Sequence, residues 1–168
     1  MNRMVQPAAI RKTLILKAPV PHAFEVFTAG FGRWWPLSHY TGTSSPLVTA
    51  IIEPRVGGRW YGKHADGSEL PWGDVLVWEP STRLILAWRI THEWGYDPKL
   101  LTEVEVRFSD LGDGRTQVDF EHRHLERFGD TPEAARSIES MTRGWGMILD
   151  GYKAEAERAP QGAAAAPG

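Results

Sequence analysis

The stretch Gly144-Trp145-Gly146-Met147-Ile148-Leu149-Asp150-Gly151-Tyr152 decides how this chain folds. It lies inside a longer segment, Thr131 to Arg158, in which Ile138, Met141, Trp145, Ile148, Leu149, Tyr152 and Ala156 recur every third or fourth residue. That is the period of a helix with one apolar stripe, so the segment predicts a long closing helix that needs a sheet to lie on. Asp130 or Thr131 supplies a cap, Pro132 suits the first helical position, and Glu133 sits at the positive end of the helix dipole. Gly144, Gly146 and Gly151 each cost about 1 kcal/mol against alanine inside a helix, so they call for a reason. Close backbone approach to a sheet, or room for a ligand, supplies one, and on that reading Trp145 stands at a cavity wall rather than in a filled core.

Composition narrows the class. The chain has 168 residues, 42% of them hydrophobic, which suits one domain with a full core. Its net charge of -2 and pI near 6.3 lack the basic excess of a nucleic-acid binder. There is no cysteine, which excludes disulfides and thiol catalysis. No apolar run is long enough for a signal peptide at the N-terminus or for a membrane helix later, so no membrane partner is expected and the expected location is cytoplasmic. Eight tryptophans demand either a large core or an aromatic-lined pocket.

Upstream of the closing helix, residues 1–9 read as a flexible arm and Ile10 to Lys17 as a first strand. Phe24, Phe27 and Phe31, with Val20 before them, mark a short helix, and Trp34 and Trp35 a second one stopped by Pro36. Ser38 to Pro46 is rich in turn formers, and Leu47 to Glu53 is strand-like. Gly57-Gly58 turns the chain into Arg59 to His64, and Asp66-Gly67 is the strongest hairpin signal present. Extended segments follow over Gly73 to Glu79, Arg83 to His92, Leu101 to Ser109 and Thr116 to His124, with short links that imply antiparallel neighbours. The one long connection, Glu93 to Leu100, carries Trp94 and Tyr96. The tail over 159–168 is low-complexity and reads as disordered, leaving one domain over 10–158.

A strand, two short helices, a meander and a long closing helix describe an α+β chain with a bent antiparallel sheet of about seven strands, the helix-grip arrangement. Four motifs in that order, Ala18 to Trp35, Glu53 to Tyr61, Gly73 to Trp88 and Gly144 to Asp150, carry a resemblance to a known superfamily. The chain resembles the START and birch-pollen-allergen-like (Bet v 1-like) ligand-binding domains, and within them the branch similar to the C-terminal domain of the Hsp90 ATPase activator. The resemblance covers about residues 10 to 158. It implies an apolar cavity between sheet and closing helix, but no single chemistry.

Alternation places the candidate ligand contacts. Leu84, Leu86, Trp88, Ile90 and His92 share a face of their strand, as do Thr102, Val104, Val106 and Phe108, and Val118, Phe120, His122 and His124. These faces are expected to point inward, which gathers His92, Thr102, His122 and His124 at one end of the sheet. Such a group could serve as acid and base or hold a metal; the blander reading is of hydrogen-bonded rim residues, and no metal or other cofactor is expected. Arg59 and Tyr61 share one face of their strand and Trp60 and His64 the other, and either pair could face a ligand. Phe27, Trp35, Met141, Trp145 and Leu149 complete the candidate lining. Trp34, Trp72 and Trp78 join it as aromatic residues that pack a core as readily as they touch a ligand. Glu103, Glu105 and Arg107 fall on the outward face and read as solvated charges.

No Gly-x-Ser-x-Gly elbow supplies a nucleophile, and Gly57-Gly58 is too short for a phosphate loop. The function expected is therefore binding of a hydrophobic small molecule, as carrier or sensor, with no catalytic residue assigned. The alternatives are a cyclase or aromatase in which His92, His122 or Arg59 moves protons, and an interaction module with a chaperone or homodimer contact.

Overall fold

Val104, Val106 and Phe108 are buried while Arg107 and Ser109 are exposed, so their strand has a distinct inner and outer face. The computed structural model describes residues 8–36, 45–93 and 95–165, with side chains through Arg158. The elements are β1 (Ile10–Leu16), α1 (Val20–Phe27), α2 (Phe31–Trp34), β2 (Leu47–Ile52), β3 (Arg59–His64), β4 (Glu69–Glu79), β5 (Arg83–Trp88), β6 (Thr102–Gly112), β7 (Arg115–Arg123) and α3 (Pro132–Ala165), with a 3-10 turn at Leu125–Phe128. All strand pairs are antiparallel, in the order β1-β7-β6-β5-β4-β3-β2. This is the α+β helix-grip fold, with seven strands and the expected helices.

The closing helix begins where its cap signal lies: Thr131 Oγ1 accepts a hydrogen bond from the Ala134 N–H at 3.1 Å. Its stripe of Met141, Trp145, Ile148, Leu149, Tyr152 and Ala156 is buried, Leu- and Ile-sized members contributing about 1.5–3 kcal/mol each. Polar contacts seat it: Tyr152 donates to the Ala23 carbonyl at 2.7 Å, His22 Nε2 to the Ala156 carbonyl at 3.1 Å, and Lys153 Nζ to the Ile15 carbonyl on β1 at 2.8 Å. Burial pushes the Tyr152 phenol well up, so it stays a neutral donor.

Some boundaries differ from expectation. The closing helix runs on to Ala165, past Arg158. β5 stops at Trp88 because the chain folds back at Thr91, whose Oγ1 accepts from the Glu93 and Gly95 N–H groups at 3.2 Å each. Ile90 then bridges Tyr96 across that turn. Gly146 and Gly151 do not owe their place to close packing: an added Cβ would come no nearer than 3.6 Å to Lys12 at the first and 3.5 Å to the Trp34 carbonyl at the second. Close approach occurs instead in the sheet, at Gly62 and Gly73, where a Cβ would lie 2.8 Å from Leu47 and 1.7 Å from the Ala87 carbonyl. Trp94, most of the expected N-terminal arm and most of Ser38 to Pro46 lie outside the described residues.

Candidate functional site

Alternation on β3 puts Trp60 and His64 on the inner face, at 0% and 4% exposure. Trp72 on β4 and Trp88 on β5 join them from neighbouring strands, Trp35 from the end of α2, and Trp145 from α3. The rings form a closed circuit. Centroids lie 5.0 Å apart for Trp35–Trp72, 5.6 Å for Trp72–Trp60, 5.7 Å for Trp60–Trp88, 5.8 Å for Trp88–Trp145 and 6.0 Å for Trp145–Trp35. Edge-to-face and tilted pairs at these distances add about 0.5–1.5 kcal/mol each beyond area burial. Phe120 closes one side at 4.5 Å from Trp145, and Phe31 stacks on Trp35 at 5.4 Å. Gly62 makes room for this: its missing Cβ would stand 3.2 Å from Trp72 Nε1.

One histidine enters this aromatic ground. His122 is fully buried on β7, opposite Val104, and its Nδ1 accepts the Trp145 indole N–H at 3.2 Å. The proton therefore sits on Nε2, which faces Thr102 Oγ1 at 2.9 Å, while the Thr102 hydroxyl donates to the Trp88 carbonyl at 3.0 Å. Every polar atom in the relay is satisfied. Burial pulls the imidazole down to about 3, so it is neutral at physiological pH. With its lone pair engaged and its basicity suppressed, His122 holds Trp145 and Thr102 in place rather than offering a free base.

Other expected contacts are distributed differently. Val104, Phe120, Met141 and Leu149 are buried in the one core cluster that contains the tryptophans. Phe27 is buried too, but its ring neighbours are Phe31, Trp34, Phe108 and Tyr152, so it joins α1 to α3. Arg59 and Tyr61 leave the lining: Arg59 is exposed, bound to Glu53 and Glu69, with its guanidinium 4.0 Å over the Tyr61 ring. Tyr61 alternates with the inward Trp60, outside that core cluster. His92 lies in the Thr91 turn with its carbonyl accepting from Ser137 Oγ at 3.2 Å, and His124 takes a left-handed backbone beyond β7, 3.7 Å from the Glu103 carboxylate. The three histidines are thus not assembled, and among the described residues no group of three or more His, Cys, Asp or Glu is placed to hold a metal. Trp60 and His64, the pair that the pattern leaves open against Arg59 and Tyr61, are the inward ones, and the inward register of β3 around Gly62 is the signal for them.

On the outer face, Glu105 is only 4% exposed and is not the solvated charge expected. Arg107 Nε approaches it at 2.8 Å, Arg83 at 3.5 Å, and Arg123 bonds to it as well as to Glu103. Burial alone would raise its carboxyl, but the hydrogen bonds from Arg123 and Arg107 outweigh that and hold it below the usual range.

Comparison with known proteins places the chain. The family model described as Activator of Hsp90 ATPase homolog 1-like protein matches residues 17–157. The chain belongs to this family. Among solved structures, the anthrahydroquino-γ-pyrone synthase Txn09, complexed with SUM, is 37% identical over 82% of this chain and 88% of its own, with a TM-score of 0.57. The self-sacrificing resistance protein CalC from Micromonospora echinospora is 28% identical over 90% of this chain and 95% of its own, with a TM-score of 0.65. Protein NE0264 from Nitrosomonas europaea, 16% identical over 90% and 95% with a TM-score of 0.62, shares the fold. No match was found among curated protein sequences. As a member of this family the chain carries a ligand-binding fold, and no helix among the described residues is long and apolar enough to cross a membrane.

Proposed function

We propose that this chain binds a flat, polycyclic aromatic small molecule against the tryptophan circuit between the sheet and α3. The observation that carries the reading is the circuit itself: Trp35, Trp72, Trp60, Trp88 and Trp145 meet one another in sequence at 5.0 to 6.0 Å. Indole faces favour stacked or edge-on aromatic partners, and apolar sites with few polar groups are typical of small-molecule binding. The likeness to Txn09, named as an anthrahydroquino-γ-pyrone synthase, supports a fused-ring ligand.

That same likeness favours a second reading, in which the chain closes a ring on such a molecule. In that case the protein acts by holding the substrate in a reactive shape, since His122 is neutral and doubly engaged while Arg59 is exposed and bound to Glu53 and Glu69. Native mass spectrometry of the freshly purified chain separates the outcomes. A retained aromatic mass that leaves unaltered supports carriage, and release of a mass lower by one water supports ring closure. No retained mass, with no uptake of added 2,6-dihydroxyanthraquinone, would set both aside.

A further inference from the structure

The indoles of the circuit differ in what their N–H groups do. Trp88 donates to the Ile90 carbonyl at 2.9 Å and Trp145 to His122 at 3.2 Å, so the β5–β7 side of the site is closed in hydrogen-bonding terms. On β3 the situation is reversed. Trp60 Nε1 and His64 Nε2 are both buried and neither has a hydrogen-bond partner. Leaving such groups unpaired is costly, and native proteins seldom do so without a reason. The two sit on the same face of one strand, flanking Gly62 and the Trp72 indole that lies across it.

Their polarities are opposite. Trp60 Nε1 can only donate. His64 Nδ1 lies 3.0 Å from the Ser45 carbonyl, which can only accept, so in the neutral imidazole the proton is on Nδ1 and Nε2 presents a bare lone pair. Resting on the reading that this face holds an aromatic ligand, we infer that Trp60 and His64 are its polar anchors, and that the ligand is a hydroxylated aromatic ketone of the quinone class. Its ring carbonyl accepts from Trp60 Nε1, its phenolic hydroxyl donates to His64 Nε2, and the planar ring system lies along Trp72 between them.

Calorimetric titration of the full chain with three planar probes tests this: anthracene, 9,10-anthraquinone and 2,6-dihydroxyanthraquinone. Affinity should rise at each step, with the dihydroxy probe at least about tenfold tighter than the quinone, because each added group satisfies an atom otherwise left bare. His64→Leu, checked for an intact fold by circular dichroism, should erase the advantage of the hydroxyls while leaving anthraquinone binding unchanged. Equal affinity for all three probes in the wild type would overturn the polar anchors while keeping the aromatic site. Persistence of the hydroxyl advantage in His64→Leu would overturn the role of His64. Absence of binding by any probe would overturn the aromatic site, and the anchors with it.

Discussion

Trp145 and His122 meet across the helix–sheet interface through one hydrogen bond, indole N–H to Nδ1 at 3.2 Å, and that bond selects the imidazole tautomer. Because the bond leaves the proton on Nε2, Thr102 must accept it, and its own hydroxyl must then donate to Trp88. Removing the donor while keeping the ring isolates this link. Trp145 is packed more closely than the cavity wall expected from the sequence, 3% exposed and in ring contact with Trp35, Trp88 and Phe120. Trp145→Phe should destabilise by about 1–3 kcal/mol through the unpaired Nδ1 and lost area, and Trp145→Ala by about 3–5 kcal/mol, as measured by urea unfolding. Losses below about 1 kcal/mol for both would mean that the indole stands beside empty space.

The other end of the relay gives a second prediction. Thr102→Val keeps the shape but strands the His122 Nε2–H, and should cost about 1–3 kcal/mol. Thr102→Ser should recover most of that in the same unfolding assay.

Stability should also depend on pH through His122. Its folded pKa is about 3, well below the unfolded value near 6.5, so the unfolded chain takes up a proton first as pH falls. The native state is fully favoured above about pH 6.5 and loses up to about 1.4 kcal/mol per pH unit from there down toward about 3. Urea unfolding at pH 7.5 and 5.5 should show this drop in the wild type and a smaller one in His122→Leu. An identical drop in both would assign the titration to other groups.

Glu105 works in the opposite sense on the outer face. Its carboxyl is held low in the folded state, so its contribution is present above the unfolded carboxylate range and lost as pH falls through the lower folded value. Glu105→Gln should therefore cost about 1–3 kcal/mol at pH 7, with the gap to wild type narrowing as both are titrated below about pH 4. A gap that stays constant with pH would show that packing, rather than charge, is what the substitution removes.

How far these features were legible in the sequence depended on the range of the interactions. The inward faces of β6 and β7 followed from alternation, so the approach of Thr102 to His122 was readable once the two were paired as neighbours. The closing helix was readable from its stripe and its Thr131 cap. His92 was misplaced because one hydroxyl, that of Thr91, turns the chain out of its strand, and alternation is blind to a local side-chain bond of that kind. β3 was undecided because both of its faces mix aromatic and basic residues, and only the pairing with β2 and β4 chooses between them. The burial of Glu105 was hidden because it depends on arginines from three strands that alignment along one strand cannot bring together.

The aromatic site itself is tested most directly by the indole N–H signals in a ¹⁵N-resolved NMR titration with 2,6-dihydroxyanthraquinone, each signal assigned by a single Trp→Phe substitution. The account predicts that Trp60 and Trp72 shift most, that Trp35, Trp88 and Trp145 follow, and that Trp78, which packs on Phe24 outside the circuit, stays in place. Five circuit signals unmoved at saturating probe, or a response centred on Trp78, would contradict it.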